Sequence, residues 1–225
     1  MNINMENTSL AQQLDDYKAA AIKKSPPERT ALMEGATADL KSSGIEHTAL
    51  QSGMNAPSIS LLDINGQAVN LAEFWQKEIL VVVFYRGGWC PYCNLELRAW
   101  QTHLESLKSL GAGLIAVSPQ TADNSLSTAE KNQLQFTVLS DTNLEAAKAF
   151  GIAFEMPESL IDLYKSFGND LSVVNGNGRW VLPLPATYVI SRDGKIISSH
   201  VEADYRVRAE PAEVLAMIKV HNAHA

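Results

Sequence analysis

Seven consecutive apolar side chains, Ile79-Leu80-Val81-Val82-Val83-Phe84-Tyr85, interrupt an otherwise mixed chain. A run of strand length without alternation needs burial on both faces, which marks the centre of an α/β sheet. A second such run, Leu114-Ile115-Ala116-Val117-Ser118, follows a helical pattern over 91–110 with Leu97, Trp100, Leu104 and Leu107 on one face and Gly111 as its stop. Strand, helix and strand in that order predict a βαβ unit with a right-handed crossover.

The flanking patterns are shorter. Residues 58–64 and 67–71, joined by Asn65-Gly66, predict a hairpin closed by a two-residue turn. A short helix is predicted over 72–77, a helix over 125–133, a strand over 136–140 and a helix over 141–150 ending at Gly151. Residues 152–183 read as an irregular insertion, with Asn175-Gly176-Asn177-Gly178 and later prolines as breakers. A closing hairpin over 187–199 turns at Arg192-Asp193-Gly194, and a helix over 211–221 ends the pattern.

Ahead of this lies a different texture. Leu10, Leu14, Tyr17 and Ala21, then Met33, Ala36 and Leu40, recur at helical spacing on either side of Ser25-Pro26-Pro27. Two helices are predicted, the second with Ser25 as its N-cap. Neither has enough apolar surface to fold alone, so this arm either packs on the main domain or mediates a homodimer. The expected division is a helical extension over 1–52 and an α/β domain over 53–225.

With 225 residues, 46% of them apolar, the chain can bury one substantial core plus an appendage. The net charge of −7 offers no broad attraction to nucleic acid or anionic lipid. No window approaches the roughly 20 apolar residues of a membrane span. The first seven residues show neither a basic leader nor an apolar segment after it, so the cytoplasm is the expected location.

The chemistry concentrates in the only two cysteines, Cys90-Pro91-Tyr92-Cys93, between the first buried strand and its helix. A helix N-terminus stabilises a thiolate through its free N–H groups and dipole, and two intervening residues let a small disulfide ring close. In a reducing compartment such a pair is a redox or metal-binding centre. A zinc site needs about four ligands, and His47, His103, His200, His221 and His224 have no companion spacing, so no metal or other cofactor is expected. Trp89 and Tyr92 flank the sulfurs and are placed to wall them from water. A non-catalytic interaction domain with a vestigial pair is the bland alternative.

The stretches Phe84 to Asn94, Leu139-Ser140-Asp141, Phe150-Gly151 and Pro185 to Ile190 with Asp193-Gly194 resemble the alkyl hydroperoxide reductase/thiol-specific antioxidant superfamily, and within it the peroxiredoxin-like proteins, over roughly 53 to 221. The resemblance implies a thioredoxin-like α/β fold, a peroxiredoxin-type mixed sheet flanked by helices, and reduction of hydrogen peroxide or organic hydroperoxides. It places Cys93 at the peroxidatic position and Cys90 where the family keeps a Thr or Ser. Arg86 replaces the family's Pro, and its guanidinium is placed to stabilise a thiolate or a peroxide oxygen. Pro185 replaces the family's Arg and is similar instead to the cis-proline that packs on the thioredoxin disulfide.

Two mechanisms follow. As a peroxidase, Cys93 is oxidised to a sulfenic acid, Cys90 condenses with it, and thioredoxin or a glutaredoxin-type dithiol recycles the pair. As a dithiol-disulfide oxidoreductase acting on protein disulfides, Cys90 attacks first and the deeper Cys93 resolves. His200, Tyr205, Arg206 and Arg208 follow the last strand and either line the site or form surface ion pairs.

Overall fold

The computed structural model describes residues 8–224, so the first seven residues, read above for targeting, lie outside the described residues. Nine strands and nine α-helices are described, in the order α1 Leu10–Lys24, α2 Pro27–Ser42, β1 Ser60–Asp63, β2 Ala68–Asn70, α3 Ala72–Trp75, β3 Ile79–Phe84, α4 Pro91–Ser109, β4 Ala112–Ser118, α5 Ala122–Lys131, β5 Thr137–Ser140, α6 Glu145–Ala149, β6 Ala153–Glu155, α7 Glu158–Ser166, α8 Leu171–Val174, β7 Val181–Pro183, β8 Ala186–Ile190, β9 Ile196–Val201 and α9 Pro211–His224, with a short 3-10 helix, Ile45–Thr48, between α2 and β1. Seven strands form one mixed sheet in the order β2-β1-β5-β4-β3-β8-β9.

The unbroken apolar run becomes β3, buried at every position, because it has a parallel partner on one side and an antiparallel one on the other: Val82 lies opposite Ile115 of β4 and opposite Tyr188 of β8. Its side chains alternate between two cores. Leu80, Val82 and Phe84 join Trp75, Phe150 and Tyr188 on one face. Val81 and Val83 meet Trp100, Leu104 and Ile218 on the other, beneath α4 and α9. Further along that second face, Tyr85, Cys90, Cys93 and Leu97 pack with Leu10 and Leu14 of α1.

Four expectations are corrected. The Asn65-Gly66 hairpin forms, but not with a two-residue turn. Asp63 opens a wider loop: its carbonyl accepts from Gly66 N–H, its carboxylate accepts from the N–H groups of Asn65 and Gln67, and Gly66 alone takes a positive φ of 77°. Ser25 is the C-cap of α1, and α2 begins behind Pro26 without a side-chain cap. The helix expected over 141–150 shrinks to α6, because the Asp141 carboxylate stays outside it to accept from Ala146 and Ala147 N–H.

The insertion is not irregular. It holds α7, α8 and a two-stranded sheet in which Ala153 of β6 lies opposite Pro183 of β7. These strands are three residues long and pair across the helices between them, so no local alternation announces them. Met156, Leu160 and Tyr164 from this segment pack with Met33 and Ala36 of α2, closing the fold over the dithiol end of the sheet. Among the described residues, no helix is long and apolar enough to cross a membrane.

Candidate functional site

The site is built where β3 stops. Beyond Phe84 the chain passes through Tyr85, Arg86 and two glycines before Cys90 takes the N-cap position of α4 and Pro91 its first helical residue, where a missing N–H costs nothing. Gly87 has φ 147°, and a Cβ there would run into the Trp89 indole. The loop is pinned by buried polar groups: Gly88 N–H donates to Gln120 Oε1 at 2.8 Å, and Asn94 Nδ2 donates to the Gly88 carbonyl at 2.8 Å. Asn132 extends this network to Asn94 and Arg98.

Both cysteines are reduced and buried, Cys90 at 2% exposure and Cys93 at 0%. They differ in surroundings. Cys90 lines a cavity of about 480 Å³ with Tyr17, Arg86, Trp89, Tyr92 and Tyr205, whereas Cys93 is not among its walls. Tyr92 is stacked edge-on between Tyr17 and Tyr205, with ring centres 5.0 and 5.4 Å away. Trp89 stands edge-on to Tyr164 at 5.5 Å.

Arg86 is 3% exposed and has no carboxylate within ion-pair range among the described residues. Its guanidinium lies 4.4 Å from the Tyr205 ring centre, 5.2 Å from that of Trp89 and 5.7 Å from that of Tyr164, and Nη2 donates to the Tyr164 hydroxyl. The aromatic faces offset part of the cost of burying this charge. Its Nε has no hydrogen-bond partner among the described residues.

A second buried cation approaches from behind. Arg208 Nη2 lies 3.5 Å from Cys93 Sγ, while its Nε donates to Glu96 Oε2 at 2.6 Å, and both members of that ion pair are buried. Glu96 follows Cys93 by three residues and so shares its helix face. Burial and the neighbouring Cys93 raise its carboxyl to about 7 against the pull of Arg208. The other Glu96 oxygen has no hydrogen-bond partner among the described residues.

These charges separate the two thiols. Burial alone would push Cys90 up, but the Cys93 thiol, the Arg86 and Arg208 guanidinium groups and the Cys93 backbone N–H favour its anion and bring it down to about 6. Cys93 moves the other way: burial and the adjacent Cys90 keep its proton on, and the two arginines do not overcome them. One sulfur is set up as a thiolate and the other as a thiol.

Arg86, Trp89, Tyr92 and both cysteines thus meet in one place. Pro185 does not join them as expected. No peptide among the described residues is cis, and Pro185 lines a neighbouring cavity of about 450 Å³, with Arg86 but with neither cysteine among its walls. The thioredoxin-like role for it is withdrawn. Of the residues after the last strand, Tyr205 and Arg206 line the dithiol cavity and Arg208 reaches Cys93, while His200 is absent from its walls. Glu96 was not singled out by its pattern; the available signal was a carboxylate three residues past a core cysteine on an otherwise apolar helix face.

Comparison with known proteins agrees with this architecture. The model of the AhpC/TSA family matches residues 52–199. Peroxiredoxin Bcp of Escherichia coli (strain K12) is 30% identical over 172 residues, which cover 76% of this chain and 97% of that protein. The chloroplastic peroxiredoxin Q of Sedum lineare is 30% identical over 104 residues, 46% of this chain and 55% of its own length. The fold matches the crystal structure of peroxidoxin BcpB from Mycobacterium tuberculosis with a TM-score of 0.60 at 17% identity, covering 76% of this chain and 97% of that one. Family model, relatives and fold concur: the chain belongs to the AhpC/TSA family and is a thiol peroxidase of the peroxiredoxin class.

Proposed function

We propose that this peroxiredoxin reduces hydrogen peroxide and organic hydroperoxides with the Cys90–Cys93 dithiol, Cys90 attacking first. The observation that carries this order is the contrast in ionisation: only a thiolate attacks peroxide, and the thiolate is the sulfur that faces the cavity. Position along the family motif favours Cys93 instead, but a fully enclosed, protonated thiol is the better second sulfur.

The steps balance as follows. The Cys90 thiolate attacks the terminal oxygen of the peroxide, the O–O bond breaks, and the departing alkoxide or hydroxide takes a proton to leave as alcohol or water. Cys90 is now a sulfenic acid. The Cys93 sulfur attacks it, the Cys93 proton and the hydroxyl leave together as water, and the disulfide closes. No third cysteine exists in the sequence, so the two electrons and two protons that reopen the pair come from outside. An external dithiol of the thioredoxin or glutaredoxin type supplies them.

Burial also bears on the alternative reading as an oxidoreductase for protein disulfides. With Cys90 at 2% exposure in a cavity walled by Tyr17 and Tyr92, the reduced fold favours a small peroxide over a disulfide on a folded protein as the first reactant, and a protein dithiol reopens the pair only once that wall gives way. The test is single-turnover reaction with hydrogen peroxide. Cys93→Ser consumes one equivalent and stops at the sulfenic acid, while Cys90→Ser is inert. The reverse result returns the attack to Cys93, and rapid reduction of insulin disulfides with no peroxide consumption favours the oxidoreductase.

A further inference from the structure

Beside the dithiol cavity lies a second one that the chemistry above leaves unused. It measures about 450 Å³, within the range of small-molecule sites, and its walls are largely apolar: Met33, Ala36, Leu40, Phe154, Met156 and Leu160. Helix α2 supplies one side and the β6–α7 segment the other. The two cavities share four residues, Met33, Arg86, Tyr164 and Tyr205, so they abut at the buried guanidinium. Met33 is the most adaptable of these dividers, an unbranched side chain only partly buried.

Three observations describe what would fill this chamber. Its inner end carries a cation whose Nε is buried and unpartnered, a donor suited to a peroxide oxygen. Its middle is apolar. Its remaining charged walls, Asp39 and Glu155, are exposed and acidic, so the outer end repels a carboxylate. Helix α2 precedes residue 52, where the match to the family model begins, so this wall is not part of the matched domain.

We infer that the chamber under α2 is a substrate subsite for the body of a neutral, apolar organic hydroperoxide, whose peroxide group lies at Arg86 and Cys90. This rests on the peroxidase reading and specifies its substrate class. The chamber discriminates by contact with the alkyl body, and the acidic rim discriminates against fatty acids that carry a hydroperoxide.

The experiment compares kcat/KM for hydrogen peroxide, dodecyl hydroperoxide and hydroperoxyoctadecadienoate, with dithiothreitol as reductant. The wild type is expected to favour the dodecyl compound over hydrogen peroxide by at least about tenfold, the scale of a few buried methylene groups. Ala36→Phe fills the chamber and should remove most of that preference while leaving hydrogen peroxide turnover unchanged. The double variant Asp39→Lys/Glu155→Lys, at two exposed positions, should raise kcat/KM for the carboxylated substrate severalfold without altering that for hydrogen peroxide. Equal turnover of dodecyl hydroperoxide and hydrogen peroxide by the wild type, or indifference of the dodecyl preference to Ala36→Phe, overturns the subsite and leaves the peroxidase reading standing. Indifference of the carboxylated substrate to the charge reversal overturns the assigned charge selectivity. Failure to consume any peroxide overturns the peroxidase reading itself.

Discussion

Arg86 is a buried cation compensated by three aromatic faces, one tyrosine hydroxyl and the charge on Cys90. That arrangement makes the thiolate and the guanidinium depend on each other. Cys90 is therefore expected to titrate near 6 in the reduced protein, read as ultraviolet thiolate absorbance against pH. Arg86→Met should move the midpoint upward, and so should Cys93→Ala, which removes the neighbouring thiol. A midpoint that stays put in both variants would refute the proposed origin of the shift. Arg208 and Glu96 make a different prediction. Removing one partner of a buried pair strands the other, so Arg208→Met should cost about 3–5 kcal/mol in denaturant unfolding, and Arg208→Met/Glu96→Leu should recover much of that loss. The cysteine pair was legible in the sequence because its chemistry lies within four consecutive residues. The Arg208–Glu96 pair was not, since its members are 112 positions apart and each alone reads as an ordinary surface charge.

At the scale of elements, the arm that precedes the sheet divides into two unequal helices. Helix α1 inserts Leu10 and Leu14 beside Tyr85, Cys90 and Cys93, and its first N–H groups, of Leu10 and Ala11, donate to the Glu210 carboxylate at 3.3 and 3.1 Å. Helix α2 buries no residue completely; the Arg206–Glu34 ion pair and the Arg29 guanidinium 5.1 Å from the Phe167 ring centre help hold it over the chamber. The spacing of apolar residues in α1 predicted the burial of Leu10 and Leu14, though Tyr17 of the same stripe stays exposed, and the double proline predicted the break. The role of α2 could not be read this way, because its partners, α7 and the segment after β9, lie far along the chain. The local contacts of α1 lead to a prediction. Leu10→Ala/Leu14→Ala removes two buried side chains, each worth about 2–5 kcal/mol of packing, so α1 should detach far below the global unfolding transition. Alkylation of Cys90 by iodoacetamide at a pH well above its midpoint should then accelerate at least severalfold. An unchanged rate would show that α1 does not shield the sulfur.

For the whole molecule, oxidation and stability are linked through the same charges. Closing the disulfide removes the Cys90 anion while Arg86 stays buried, so the reduced fold holds a stabilising interaction that the oxidised fold lacks. Its size depends on pH. Cys90 has a folded value near 6 against an ordinary 9.0, so its contribution is fully present above about 9, declines as pH falls, and is gone below about 6. At its maximum the shift corresponds to roughly 4 kcal/mol. The disulfide favours the opposite state by restricting the unfolded chain, and for a loop this short the chain-entropy term is only about 2 kcal/mol. The two effects cross between the folded and the ordinary value of Cys90, where the remaining thiolate contribution equals the loop term, and the uncompensated Arg86 moves that crossing toward acid by further weakening the oxidised fold. Guanidinium unfolding of the reduced and oxidised proteins from pH 5 to 9 should show the oxidised form more stable at the acid end and the reduced form more stable at the alkaline end. Above pH 9 the advantage shrinks again, since Cys93 is held protonated in the fold and ionises freely once unfolded. A thiolate stabilised in this way also shifts the pair toward the oxidising end of the dithiol scale. That poise suits a disulfide that must be opened again by an external dithiol after each peroxide. An oxidised form more stable at every pH, together with a potential near that of thioredoxin, would show that Arg86 exchanges its thiolate for another counter-charge on oxidation.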